Sequence, residues 1–131
     1  MHRSRLTSVL FDVADEAFEV ETSFWSGALG RGSAPAATDE DYQELDGLVS
    51  GLAVMVQRTG SGAAPRLHVD IETDDVEAEV RRLERLGALR VEAVETWWVM
   101  RDPAGLLFCV VRVQSPEEFA AHATTWDDPT T

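Results

Sequence analysis

The sequence predicts an α+β fold built from two copies of one unit, a strand and a helix followed by three strands. Three observations carry this reading. A strand-like stretch running into a helix occurs twice, at Leu6–Asp15 (LTSVLFDVAD) and Leu67–Asp75 (LHVDIETDD). Each helix closes on a Leu-Gly pair, Leu29-Gly30 and Leu86-Gly87. Each unit then ends on a Gly-led apolar strand, Gly51–Arg58 and Gly105–Arg112.

The first strand, about Leu6–Val13, alternates Val9, Phe11 and Val13 with Ser8, Leu10 and Asp12, so the two sets take opposite faces. A helix from about Asp15 to Ala28 follows, with Phe18, Trp25 and Leu29 at near-helical spacing and Gly30 as its stop. Ser33–Asp39 is small and polar and reads either as a weak edge strand or as a loop. Tyr42–Asp46 and Leu52–Arg58 read as strands around a Gly47–Gly51 turn.

Thr59–Pro65 (TGSGAAP) is a linker by composition. In Arg66–Thr73, Leu67, Val69 and Ile71 face one way and His68, Asp70 and Glu72 the other. The second helix is expected to take Asp74 as its cap with Glu77 three residues on. Its apolar stripe is Val76, Val80 and Leu83, and Gly87 ends it. Leu89–Glu95, Thr96–Arg101 and Leu106–Val113 complete the strands, with Asp102-Pro103-Ala104-Gly105 as a turn before the last. Ser115-Pro116-Glu117-Glu118 opens a short helix, and an acidic, loose tail is expected to Thr131.

The organisation expected is one domain over residues 1–131. Module 1 runs from about 5 to 59, a linker covers 60–65, module 2 runs from about 66 to 113, and a tail covers 114–131. A chain of 131 residues buries one core but not two independent ones. The net charge of −13 excludes a phosphate-neutralising surface, so no nucleic-acid partner is expected. That charge suits an acidic, solvated surface and would also favour a cationic ligand. The apolar runs are strand-sized, so no membrane partner is expected. With no signal-type segment and a single Cys109 inside an apolar run, the expected location is cytoplasmic.

Two stretches of the second unit, RLHVDIETDDVEAEVRRLERLGA and WWVMRDPAGLLFCVV, together with Phe24-Trp25-Ser26-Gly27-Ala28-Leu29-Gly30 in the first, carry a family likeness. They resemble the glyoxalase-like, bleomycin-resistance branch of the vicinal oxygen chelate superfamily, over roughly residues 6–113. The resemblance implies two βαβββ modules forming a curved mixed sheet around a cleft, with the helices on the outer face. It also implies that the first and last strand of each module supply one metal-ligand position apiece, filled in relatives by His, Gln or Glu.

An offset of 60 residues pairs Ser8 with His68, and an offset of 54 pairs Met55 with Cys109. The four implied positions therefore hold Ser8, Met55, His68 and Cys109. A divalent ion in such a site wants imidazole and carboxylate donors, and only His68 qualifies fully. No cofactor is expected; Zn, Ni, Fe or Mn is disfavoured by this donor set. The residues expected to line the cleft and contact ligand are Ser8, Met55, Gln57, His68, Asp70, Glu72, Trp98 and Cys109. Trp97 and Trp98 point to opposite faces of one strand, and the sequence leaves open which of the two reaches the cleft.

His68 with Asp70 forms the candidate catalytic pair, the imidazole serving as general acid or base beside a carboxylate. The plainer reading is a cavity histidine that contacts ligand and catalyses nothing. Cys109 has no cationic neighbour in sequence to activate it and reads as a buried thiol. No nucleophile elbow or phosphate loop is present, since Thr59-Gly60-Ser61-Gly62 lacks the lysine such a loop requires. The function expected is binding of a small organic molecule in the cleft without a catalytic metal. The alternative is a lyase, isomerase or dioxygenase-type enzyme using His68 with a carboxylate or an atypical metal site. A homodimer is also expected from the resemblance.

Overall fold

The computed structural model describes residues 1–36 and 39–129. Its strands are β1 (His2–Val13), β2 (Ser33–Ala36), β3 (Asp39–Leu45), β4 (Ala53–Arg58), β5 (Arg66–Thr73), β6 (Leu89–Val94), β7 (Trp97–Arg101), β8 (Leu107–Arg112) and β9 (Thr124–Trp126). The helices are α1 (Phe18–Leu29), α2 (Val76–Arg85) and α3 (Pro116–His122), with a 3-10 turn at Asp15–Ala17 leading into α1. The fold is α+β, with the expected strand–helix–three-strand order twice: β1-α1-β2-β3-β4 and β5-α2-β6-β7-β8. Among the described residues no helix is long and apolar enough to cross a membrane.

The chain packs as two compact units, Ser8–His68 and Met1–Thr7 with Val69–Thr131. In Ser8–His68 the strand order is β2-β3-β4-β1. β1 runs parallel to β4, and α1 with β2 and β3 supplies the crossover that a parallel pair needs. Val13, Phe18 and Val56 form the core with Phe11 and Ala17, and Phe11 stacks on Trp25 of α1 at 4.9 Å. One face of β1 and β4 is thereby committed to α1, and strand parity sends Asp12, Met55 and Gln57 to the other. Gly30 ends α1 in the left-handed conformation (φ 65°), where glycine carries no Cβ penalty. Ser33–Ala36 is a strand after all, held by backbone pairing to β3; Pro35 is tolerated because β2 lies at the edge. Residues 37–38 of that stretch lie outside the described residues. The Thr59–Pro65 segment is tied to the start of the first helical turn. Gly60 N–H donates to Asp15 Oδ1 at 3.0 Å and Gly62 N–H to Glu16 Oε1 at 2.8 Å.

In the other unit the order is β1-β5-β8-β7-β6, with β9 antiparallel to the start of β1. Val80 of α2 packs with Ala88, Met100, Phe108 and Val110, joined by Val69, Ile71, Val76, Leu83 and Trp98. The α2 cap is Asp75, whose side chain accepts the Ala78 N–H at 3.0 Å, rather than the expected Asp74. Asp74 is occupied elsewhere, accepting from Arg3 N–H (2.7 Å) and Arg3 Nε (3.0 Å). The tail, expected loose, carries α3 and β9, and Trp126 Nε1 donates to Ser4 Oγ at 2.9 Å. Residues 130–131 lie outside the described residues.

The two modules carry the same ladder. In β1–β4, Leu10 pairs with Met55 and Asp12 with Gln57. The offsets of 60 and 54 map these onto Asp70 with Cys109 and Glu72 with Val111, which are the observed β5–β8 partners. In each module the face away from its own helix therefore holds equivalent positions.

Candidate functional site

Asp12 is the centre of the most unusual chemistry in Ser8–His68. It is 1% exposed, on the β1 face turned away from α1. A carboxylate placed there loses several kcal/mol of hydration and needs partners. One oxygen has them: Oδ2 lies 2.5 Å from His68 Nδ1 and 3.4 Å from Arg66 Nε. The other oxygen, Oδ1, is buried and has no hydrogen-bond partner among the described residues. A carboxylate oxygen only accepts, so Nδ1 carries the hydrogen of this contact.

The same face carries Gln57, opposite Asp12 in the ladder, and Met55, two residues earlier on β4. Gln57 Nε2 donates to the Tyr42 hydroxyl at 2.9 Å, and Glu44 is the ladder partner of Met55. Ser8 is buried on β1. On the opposite, α1 side of β1 lies a small cavity of about 210 Å³, lined by Phe11, Val13, Glu21, Pro65, Arg66 and Leu67 and touched by Asp12.

The second unit resolves its polar residues differently. Glu72 is fully buried, and both its oxygens are engaged. Oε1 accepts from Arg5 Nε at 3.0 Å and Ser115 Oγ at 2.9 Å; Oε2 accepts from the Gln114 and Ser115 N–H groups at 3.0 and 3.2 Å. Burial pushes the Glu72 carboxyl up, but these donors outweigh it and hold it below its ordinary range. Asp70 and Cys109 are ladder partners whose donor atoms lie within 4.8 Å of one another. A second buried acid, Glu79 of α2, accepts from His2 Nε2 at 2.7 Å and from Arg82 at 2.8 and 2.9 Å. The same His2 ring bonds Asp128 through Nδ1.

Trp98 is placed in the core rather than on the candidate face. It packs with the Val80–Met100 cluster, and Arg90 sits 4.9 Å over its ring. Trp98 pairs with Val110 in the ladder, and both face α2; parity therefore puts Trp97 on the side of Val99 and Cys109. His68 Nδ1 bonds Asp12, a carboxylate that the sequence reading does not pair with it. Asp12 had a legible signal, because it shares its strand face with Ser8. What no local pattern carries is the contact itself, which spans 56 residues. Arg66, at the start of β5, was missed for the same reason.

The implied metal positions do not make a fitting donor set in Ser8–His68. Ser8 offers a buried neutral hydroxyl and Met55 a thioether, both weak ligands for a borderline divalent ion. His68 is the one strong donor there, and its Nδ1 is bonded to Asp12. Asp70 and Cys109 add one carboxylate and one thiol in the other unit.

The glyoxalase-like domain family matches residues 8–111. No curated protein matches the sequence. Among solved structures, the Mn(II)-bound glyoxalase from Novosphingobium aromaticivorans is similar at 20% identity and a TM-score of 0.56. The match covers 84% of this chain but only 39% of that protein's chain. The hypothetical protein BH1468 from Bacillus halodurans C-125 is similar at 12% identity and a TM-score of 0.58, over 86% of this chain and 97% of that one. Methylmalonyl-CoA epimerase from Mycobacterium tuberculosis is similar at 21% identity and a TM-score of 0.51, over 89% and 91%. At these identities the likeness establishes the fold and leaves the chemistry to the side chains.

Proposed function

This chain belongs to the glyoxalase-like domain family, and from that premise we propose that it binds a small organic molecule on the Asp12–His68 face, without a catalytic metal. The single observation that carries this is Asp12, buried to 1% exposure with one oxygen held by His68 and the other left without a partner. A folded chain that keeps such an acceptor gains free energy when a ligand or water donates to it. The weak donors Ser8 and Met55 argue against a resident divalent ion. Elemental analysis of the purified protein tests that part, and near-stoichiometric Zn, Ni, Fe or Mn would overturn it.

A thermal-shift screen with aldehyde–thiol adducts, aromatic antibiotics and flat heteroaromatics tests the binding part. A ligand raises apparent stability with occupancy whether or not it is turned over. For a true ligand of this face, His68→Ala leaves the fold intact and weakens binding by roughly 1–3 kcal/mol. A hit whose stabilisation is unchanged in His68→Ala would place binding elsewhere.

The His68–Asp12 pair favours one second reading, a proton-transfer enzyme of lyase or isomerase type. There His68 Nε2 takes or gives the proton and Asp12 holds the ring. In that case His68→Ala lowers turnover by about 10²–10⁴-fold with little change in affinity. We also propose a homodimer, supported by the exposed apolar Leu89 and Val91 on the edge strand β6. Light scattering at the 14.4 kDa of a single chain, at micromolar concentration, would overturn it.

A further inference from the structure

We propose that the His2–Asp128 contact is a proton-operated latch, which holds β9 and the residues after it against the start of β1 and releases them when the His2 ring loses a proton. The latch is independent of the binding reading above, since every group in it belongs to the unit of Met1–Thr7 with Val69–Thr131. His2 is 2% exposed; its Nε2 meets Glu79 Oε1 at 2.7 Å, and its Nδ1 meets Asp128 Oδ1. An ionised carboxylate only accepts, so each ring nitrogen carries a hydrogen, and a ring with both is an imidazolium. Neither acid supplies the hydrogen instead. Burial raises the Glu79 carboxyl, but Arg82, His2 and Ser4 outweigh it and hold it below its ordinary range. Asp128 is lowered in the same way, burial being outweighed by the Met1 amine and His2. The latch is therefore closed only where both acids are ionised and the ring is protonated. It weakens as pH falls through the lowered acids, and it opens as pH rises through the titration of the ring.

Burial decides which side gives way. The charged groups facing the ring are Glu79 and Arg82 from α2 and Asp128 from the tail, with the Met1 amine 3.1 Å from Asp128 Oδ2. Glu79 is fully buried and keeps Arg82 Nε at 2.8 Å and Nη2 at 2.9 Å whatever the ring does. A neutral ring has one hydrogen. It stays on Nε2, because a buried carboxylate facing a bare nitrogen costs more than one that can turn to water. Asp128, its side chain 28% exposed, is the partner that turns away. Little else holds β9. It pairs over three residues only, His2 with Trp126, Arg3 with Thr125 and Ser4 with Thr124. Trp126 adds its hydrogen bond to Ser4 Oγ and the Arg82 guanidinium 3.8 Å over its ring. Phe119 anchors α3 separately in the core, so release is confined to the chain beyond that helix.

The test is amide hydrogen exchange of the intact protein from about pH 5 to about pH 8.5, the span over which imidazoles titrate, corrected for the intrinsic rates. The His2 ring is followed in the same samples by nitrogen NMR. Protection in Thr124–Trp126 is expected to fall by about tenfold or more as the ring loses its Nδ1 hydrogen, on the scale of one charge-assisted hydrogen bond. The amides of α3 keep theirs. His2→Gln still donates a hydrogen but does not titrate, so it should abolish the pH dependence. The Met1 amine titrates in an overlapping range and is present in both proteins. A dependence that persists in His2→Gln would therefore belong to the amine and overturn the latch. If His2→Gln fails to fold, the parent chain decides: the loss of β9 protection must share its midpoint with the His2 ring, and a different midpoint overturns the proposal. A ring with only one protonated nitrogen at about pH 5, or β9 protection that stays level across the range, would overturn it as well.

Discussion

Asp12 and Glu72 occupy equivalent positions of the two modules, 60 residues apart and each opposite the equivalent residue of its parallel ladder. Both are buried carboxylates, yet they end in opposite states. Glu72 has both oxygens saturated, by Arg5, by Ser115 and by two backbone N–H groups of the 114–115 turn. Asp12 has one oxygen bonded to side chains and one with no partner among the described residues. Each module places an acid at this position; the segment after β8 makes one of them a fastener. In module 1 the equivalent segment after β4 directs its N–H groups elsewhere, Gly60 to Asp15 and Gly62 to Glu16. The difference teaches that a shared position predicts burial, while the neighbours decide whether the group is structural or available for a ligand.

The largest effect that would break this comparison is on stability. Glu72→Ala removes the partner of a buried guanidinium and is expected to cost about 3–5 kcal/mol by chemical denaturation. A loss as small as that of an exposed residue would show that Glu72 is no fastener.

The pH dependence sharpens the same point. The Glu72 carboxyl is lowered from its ordinary 4.5, because burial, which raises it, is outweighed by the hydrogen bonds from Gln114, Arg5 and Ser115. Its contribution is therefore fully present above about pH 4.5 and is lost as pH falls through the folded value. Glu79 is lowered in the same sense, burial again opposed by Arg82, His2 and Ser4. Stability measured downward from pH 5 should fall less steeply in Glu72→Gln than in the parent chain; parallel curves would remove Glu72 from the account.

A mid-sized effect concerns Trp98. Trp98→Ala opens the Val80–Met100 core and should cost about 3 kcal/mol, whereas Trp97→Ala on the other face should cost clearly less. Equal losses would put both indoles in the core. The smallest effect is expected at Asp12 itself. Asp12→Asn keeps an acceptor for His68 and should change stability by less than about 1.5 kcal/mol, while ligand binding falls. Destabilisation as large as that of Glu72→Ala would make the two acids alike and end the contrast.

Much of this was legible in the sequence because it depends on local period. Val69 and Ile71 against His68 and Asp70 fixed the faces of β5, and Leu-Gly fixed two helix ends. The offsets of 60 and 54 anticipated the ladder partners Asp70–Cys109 from Leu10–Met55. Ser33–Ala36 was ambiguous because a short polar edge strand has no apolar alternation; its pairing to β3 made it one. Asp74 and Asp75 offered two adjacent caps, and the choice fell to Asp75 because Arg3, 71 residues away, engages Asp74.

By itself, then, the sequence determined the repeated module and the strand faces, which follow from residue type and spacing along the chain. Only the tertiary structure decided that Asp12 bonds the His68 Nδ1, that Trp98 packs against the Val80–Met100 core, and that the tail returns as β9 beside β1. Those outcomes hang on contacts between residues far apart in sequence, such as His68 with Asp12 and Trp126 with Ser4. Hydrogen bonding and packing select such partners from the geometry of the folded chain, and no periodicity along the chain encodes them.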